Sequence, residues 1–383
     1  MEHPALLMNK PLTAVFLIFW MSASAQRTSP LLTTLVSSSS GQPITIRVVN
    51  DSGIRDYANI TLNWELKANG SVRQKGKLTT LPIPPKKPTL IRLPVRIAAD
   101  APEELYLDLH YYYHKRPAGE AHFLLHPWTG SQLPIKPTGE LTFTDENGVF
   151  TIQSPAVQLR FDKQTGWLQS YTAGNNQLVE DTPGCKPRFW LDSLAPGYSS
   201  AGAAASPDWS AASQAPHLQL FSTSTGSQLV IVRTEYTLPE TSCLLHLSYT
   251  VNAAGEMLVE QSLETDTARQ GQRLPCFGMY WRLPSGFDSL STYAQLPSSD
   301  QPACYRQGAT GISTCDSVRW FSITRPDGAG LRITADSSLL TIHLQPSAPR
   351  IYVDTPVQPY QLPYANYRYA FKITPIAGSS LNH

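Results

Sequence analysis

Apolar residues recur at every second position through most of this chain. The run ITLNWEL sets Ile60, Leu62, Trp64 and Leu66 on one face with polar residues between them. A period of two belongs to a half-buried strand, because successive side chains point to opposite faces of the pleat. Similar runs cover residues 44–49, 72–78, 89–97 and 105–113. Asn69-Gly70 separates two of them and is a hairpin signal, since a two-residue turn of that kind needs positive φ at both positions. Short strands at this spacing predict an immunoglobulin-like β-sandwich over residues 41–128. That span has no cysteine, so it lacks an inter-sheet disulfide.

The segment TGSQLPIKPTGE, residues 129–140, is rich in Pro and Gly and reads as a linker. Beyond it, over residues 141–376, the alternation resumes. VQLRFDKQTGWLQSY is a hairpin turning at Asp162 to Gly166, and SVRWFSITRPDGAGLRI is another turning at Pro326-Asp327-Gly328. Further strand patterns cover 228–238, 243–251, 257–263, 276–283, 339–345 and 367–375, with no clear helical period. Many strands without helices predict one large antiparallel sandwich, with Trp281, Val318, Trp320 and Ile333 in its core. Residues 197–216, GYSSAGAAASPDWSAASQAP, read as an exposed loop.

Composition agrees with an all-β chain: 32 Pro and 17 Tyr among 383 residues. Charged residues make up 15% and the formal net charge is +1, so there is no basic face and no nucleic-acid partner is expected. The N-terminus has the form of a signal peptide over residues 1–25. Lys10 precedes an apolar stretch at 12–21, and Ser22-Ala23-Ser24-Ala25 follows. Cleavage after Ala25 and a periplasmic or secreted location are expected. Spanning a bilayer takes roughly 20 apolar residues, so no membrane span is expected. Export permits disulfides, and Cys304 and Cys315, flanking a Gly-rich turn, are the candidate pair.

Candidate chemistry is sparse. A retaining glycosidase needs two carboxylates about 5 Å apart. Asp192, Asp208, Asp288, Asp300 and Asp354 are scattered and read as surface groups. His110 and His114, like His122 and His126, share a strand face, but they lack companion metal ligands. No metal and no cofactor is expected, and no nucleophile elbow or phosphate loop is present. Aromatic rings stack on the apolar face of a pyranose while polar neighbours orient its hydroxyls. Tyr198, Trp209 and Tyr293, with Asp192, lie in or near loops and are the candidate carbohydrate-binding residues on the family resemblance set out next.

Several segments, taken in order, resemble consecutive domains of the bacterial β-galactosidases of glycoside hydrolase family 2. IRVVNDSGIRDYANITLNWELKANGSVRQKGKL and HKRPAGEAHFLLHPW resemble the penultimate, immunoglobulin-like domain. LRFDKQTGWLQSYTAGNNQLV, PRFWLDS, LPCFGMYWRLPSGFDSLSTYAQLP, SVRWFSITRPDGAGLRI and YRYAFKI resemble the last domain. The resemblance implies an all-β architecture: an immunoglobulin-like sandwich followed by a large galactose-mutarotase-like antiparallel supersandwich.

Departures from the family pattern matter as much. LDSLAPGY follows Phe189-Trp190 where the family has an Arg-Ala-Pro stretch and an Asp/Asn-rich loop. SSDQPACY follows Pro297 where it has a Glu-Asn-Tyr segment. PSAPRIYVDTPVQPYQLP lacks the Trp of the family's sugar platform, leaving Tyr352 and Tyr360 as the aromatic residues there. A catalytic (β/α)₈ barrel takes about 250 residues, and the stretch upstream of residue 141 is filled by a signal and a sandwich.

The resemblance thus implies a non-catalytic, small-chain-like subunit of galactoside breakdown that completes a separate catalytic glycosidase chain. The alternatives are an exported module that binds a galactoside ligand, and a degenerate structural protein without a site.

Overall fold

The computed structural model describes residues 31–39, 41–51, 57–97, 103–130, 133–180, 184–189, 209–241, 243–265, 273–274, 276–295, 302–308, 313–345, 350–355, 360–361 and 367–378. The signal-like segment and two of the candidate residues, Asp192 and Tyr198, lie outside the described residues.

Strands β1 (Leu31–Ser37), β2 (Ile44–Asn50), β3 (Tyr57–Ala68), β4 (Ser71–Ile83), β5 (Pro88–Leu93), β6 (Leu105–Tyr113) and β7 (Arg116–His126) build the first sandwich. One sheet runs β1-β2-β5 and the other β4-β3-β6-β7, all neighbours antiparallel. The alternation in β3 appears as buried Ile60, Leu62, Trp64 and Leu66, which meet Ile44, Ile46 and Val48 of β2 in one core. The Asn69-Gly70 turn forms as expected, with φ of 47° and 81°. Trp64 lies opposite Gly76, and a Cβ there would come within 2.4 Å of the indole, so glycine makes room for the ring. Strands β1 and β7 fall outside the runs picked out by alternation.

In the second sandwich, β8 (Thr142–Glu146), β9 (Val149–Gln153), β10 (Val157–Asp162), β11 (Leu168–Ala173) and β12 (Asn176–Val179) form an antiparallel meander. It packs on a curled sheet of thirteen strands. Its members are β13 (Cys185–Arg188), β14 (His217–Thr225), β15 (Leu229–Leu238), β16 (Cys243–Asn252), β17 (Met257–Glu264), β19 (Gly278–Arg282), β20 (Ser289–Gln295), β21 (Pro302–Gly308), β22 (Ser313–Thr324), β23 (Gly330–Ala335), β24 (Leu340–Gln345), β25 (Arg350–Asp354) and β27 (Tyr367–Ile376). The short strands β18 (Arg273–Leu274) and β26 (Tyr360–Gln361) pair separately. The main path runs β13-β19-β25-β24-β22-β23-β27-β17-β16-β15-β14, and β20 joins β21 to β22. Phe161 of the meander meets Tyr249 of the large sheet edge to face at 5.2 Å, inside a single core.

Four sequence expectations need correction. A short helix, α1 (Trp209–Gln214), is present where the pattern gave only loop. The segment read as a linker is bound along the second sandwich. Trp128 Nε1 donates to the Asp336 carbonyl at 3.3 Å, Asn252 Nδ2 donates to the Lys136 carbonyl at 2.9 Å, and Leu133 and Leu141 are buried. Trp320 is half-buried at the seam between sandwiches rather than in the core. Strand β20 lies between β21, which carries Cys304, and β22, which carries Cys315. Two strand spacings are about 10 Å, against roughly 7 Å or less between the Cα atoms of a disulfide. The topology therefore argues against a Cys304–Cys315 bridge; the Cys304 side chain lies outside the described residues.

Candidate functional site

Two of the residues expected to bind sugar are structural. Tyr293, on β20, is 1% exposed, and its hydroxyl donates to Glu104 Oε2 at 2.6 Å. Burial, reinforced by that carboxylate, pushes its phenol well above the usual range. Glu104 stands just before β6 in the first sandwich, and Arg319 of β22 grips the same carboxylate. Trp320 Nε1 donates to the Asn69 carbonyl at 3.3 Å beside it. Tyr293 therefore belongs to the seam between sandwiches, with no face open to a ligand. Trp209 is fully buried in the core, 6.1 Å from Phe189. Ser213 Oγ of the same helix donates to the Trp209 carbonyl and accepts from the Phe189 amide, both at 2.8 Å, which fixes the end of β13.

What β13 presents next to Phe189 is Arg188, and it faces away from the core. Alternation along β13, β19, β25 and β24 sends Cys185, Met279, Trp281, Ile351, Val353, Ile342 and Leu344 into the core. Their neighbours line the opposite face. Register places Arg188, Gly278, Asp354 and Thr341 in one row across the four strands. Lys186, Tyr280, Tyr352 and His343 form the next row, with Thr314 of β22 beyond. Gly278 is the gap that lets the first row close up. A Cβ there would lie 1.9 Å from Asp354 Oδ1, so only glycine lets Arg188 reach across β19 to the Asp354 carboxylate. Arg188 donates to Asp354 Oδ2 at 3.2 Å while its guanidinium stacks 3.9 Å from the centre of the Tyr352 ring.

Asp354, grouped with surface carboxylates by sequence, is 0% exposed. Burial pushes its pKa above the usual carboxylate value, and Arg188 and His343 oppose that only in part. Burial also holds His343 below the usual imidazole value, against the pull of Asp354. His343 Nδ1 is 2.9 Å from Thr314 Oγ1, and Nε2 is 3.8 Å from Asp354 Oδ2. Asp354 Oδ1 and His343 Nε2 have no hydrogen-bond partner among the described residues. Buried polar atoms are nearly always paired, so two neighbouring unsatisfied ones mark a place where a hydroxyl would be welcome. Tyr280 and Tyr352 lie tilted at 5.7 Å, and the cluster groups an acceptor, a ring nitrogen, a cation and aromatic rings, none of them more than 9% exposed. Those are the components of a site for a polyhydroxylated ligand.

Other places fit less well. The groove of about 750 Å³ beside Thr138, Gly139, Ser154 and Ala253 has no aromatic ring. Among the described residues no group of three or more His, Cys, Asp and Glu is arranged to hold a metal. Two sequence observations touched the patch: Tyr352 in the segment where the family has its platform, and Asp354 among the scattered carboxylates. His343 and Asp354 stand on the paired strands β24 and β25, but Arg188 lies 166 residues before Asp354.

The family described as Beta-galactosidase, domain 4 matches residues 46–118, and the family described as Beta galactosidase small chain matches residues 153–298. A beta-galactosidase from Priestia megaterium (strain DSM 319 / IMG 1521) is 25% identical over 213 residues, 50% of this chain and 20% of that one. The chain thus spans about one fifth of the length of this curated relative. Among solved structures, the GH36 alpha-galactosidase AgaB from Geobacillus stearothermophilus aligns at 9% identity and TM-score 0.42, covering 61% of this chain and 40% of that one. The alpha-N-acetylgalactosaminidase NagBb from Bifidobacterium bifidum, a quadruple mutant, aligns at 13% identity and TM-score 0.38, covering 60% and 36%. At those TM-scores the overlaps carry no weight. Fold and sequence together define the class: an all-β chain of two sandwiches, with consecutive stretches that match β-galactosidase domains. More particularly, it is similar to the C-terminal part of β-galactosidase, the domain 4 match preceding the small-chain match.

Proposed function

We propose that this chain is an exported, non-catalytic, small-chain-like component of a family 2 β-galactosidase, which completes a separate catalytic chain in galactoside breakdown. The observation that carries the reading is the state of its buried carboxylates. Among the described residues these are Glu104, Asp108 and Asp354, and each is bound to a cation: Arg319, Lys67 and Arg188 respectively. Hydrolysis needs two cooperating carboxylates, and each of these three is paired with a cation rather than with a second carboxylate. The order of the two β-galactosidase matches supports the same view.

The test is turnover of a chromogenic β-galactoside by the purified chain. None is expected, and turnover at an enzymatic rate overturns the non-catalytic assignment. Affinity capture from the native host is expected to bring down a barrel-bearing glycosidase; its absence overturns the partner assignment. N-terminal sequencing of the host's protein is expected to begin at Gln26.

A second reading, binding of a galactoside, is favoured by the unsatisfied Asp354 Oδ1 and His343 Nε2 beside Tyr280 and Tyr352. It requires only weak affinity, about millimolar or roughly 4 kcal/mol. Calorimetry with galactose and lactose tests it: heat lost in Asp354→Asn is expected, and a flat titration of folded wild-type protein overturns it.

A further inference from the structure

The large sheet ends at β14, which is bonded along one side to β15 and along the other to no strand among the described residues. Open edges are a liability, usually guarded by charge, proline, shortness or a bulge. Most other sheet ends among the described residues follow that rule. Strand β4 carries Arg73, Lys75 and Lys77; β7 carries Arg116, Glu120 and His122; β13 carries Lys186, Pro187 and Arg188. Strand β5 carries Arg92, β8 carries Asp145 and Glu146, and β12 is four residues long. Strand β1 is the exception, uncharged and with Leu32 and Val36 53% and 54% exposed, although it lies against β7. Strand β14 reads HLQLFSTST, nine residues with one titratable group at its start. Its bulge falls between Leu218 and Leu220, and from Leu220 to Thr225 the pairing with β15 is regular, leaving that stretch unguarded.

The same end of the sandwich is apolar. Leu220 is 43% exposed and Phe143 of β8 is 48% exposed. Phe143, Phe150 and Phe221 form a chain of rings at 6.2 and 6.3 Å that crosses from the open edge of one sheet to the open edge of the other. We propose that this end is an isologous interface: β14 pairs antiparallel with β14 of a second copy of this chain, joining the two large sheets.

Charge selects that occupant. In a twofold contact, residues near the axis meet their own kind, so any charge would face itself. A strip of Leu, Phe, Ser and Thr is what such a contact tolerates. Centred on Thr223, self-pairing sets Thr223 against its own copy, Ser222 against Ser224 and Phe221 against Thr225. Cross-strand hydroxyl pairs of this kind are favourable, and Phe143 and Phe221 of each copy would cover those of the other.

Sedimentation equilibrium of the purified chain tests the proposal. A dimer is expected, and Thr223→Lys and Leu220→Lys are each expected to give a monomer with an unchanged circular dichroism spectrum. If either variant unfolds, hydrogen exchange of the wild type decides. Amides of Leu220 to Thr225 are expected to gain protection as concentration rises. A wild type that stays monomeric at 100-fold the working concentration, a dimer insensitive to both folded variants, or concentration-independent exchange overturns the proposal. So does a monomer whose edge is protected only by a different chain.

Discussion

Arg319 donates through Nε and Nη2 to both carboxylate oxygens of Glu104, each at 2.9 Å, across a separation of 215 residues. Both side chains are almost wholly buried, and they come from different sandwiches. A two-point contact of this kind fixes angle as well as distance. With the Trp320–Asn69 bond and the strap at Trp128, it holds the sandwiches in one arrangement.

Breaking that pair is expected to cost far more than replacing it. Glu104→Gln or Arg319→Met leaves one buried charge without its counter-ion, for which about 3–5 kcal/mol is the usual loss. The double variant is expected to lose much less than the sum. Urea unfolding followed by tryptophan fluorescence measures all three, and additive losses would show that the pair is not coupled.

Gly278→Ala is expected to disrupt the polar face selectively. The added methyl would strike Asp354 Oδ1, the Val353 carbonyl and the Asp354 Cα, two of them backbone atoms that cannot step aside. Overpacking typically costs about 1–3 kcal/mol. A shift of His343 in the imidazole region of the NMR spectrum is expected alongside the drop in stability. An unchanged His343 signal would separate that residue from the Asp354 row.

The first sandwich carries a pH-dependent contact on its outer sheet face. His122 Nδ1 is 2.9 Å from Asp108 Oδ1, and Lys67 Nζ is 2.5 Å from Oδ2, with His110 and Glu120 close by. The hydrogen bond to Asp108 raises His122 above its ordinary 6.5, outweighing burial. The folded state therefore binds that proton more tightly than the unfolded chain does. This stabilisation is fully present below 6.5 and is lost as pH rises through the folded-state value. Burial pushes Asp108 up, but the bonds from His122 and Lys67 bring it below 3.8. Its share is present above 3.8 and is lost as pH falls through its folded-state value. Tm measured from about pH 6 to 8 is expected to fall less steeply in His122→Asn than in the wild type. An identical slope would assign the effect elsewhere.

Asn69 does two jobs that substitution can separate. Its φ of 47° lies in the left-handed region, and its Oδ1 accepts the Glu104 amide at 3.0 Å. Asn69→Gly keeps the turn and loses the hydrogen bond, about 1 kcal/mol. Asn69→Ala loses the same bond and keeps a Cβ, whose strain of roughly 1 kcal/mol or more in that conformation the local hydrogen bonding of an Asn side chain no longer offsets. Denaturation midpoints in the order wild type, Gly, Ala are expected; equal values for Gly and Ala would remove the conformational part.

Legibility followed the range of the interaction. The Asn69-Gly70 and Asp162–Gly166 turns, the alternation in β3 and the all-β class could be read because each depends on residues close in sequence. Glu104 could not. It sits beside Glu103 in an otherwise ordinary turn, and its partners lie 189 and 215 residues away. Tyr293 was singled out for its ring, yet its hydroxyl decides its place. Asp354 looked like a surface carboxylate because a strand shows only that residues alternate, not whether another layer covers the polar face.

The sequence by itself therefore determined the all-β class, many of the strands and turns, the two-sandwich order and the resemblance to β-galactosidase. Alternation, turn chemistry and ordered motifs are properties of the chain alone. Tertiary structure decided which polar residues are buried together: Glu104 with Arg319 and Tyr293, and Asp354 with Arg188 and His343. Strand order and register set those meetings. They come from the simultaneous packing of sheets that no local stretch of sequence encodes.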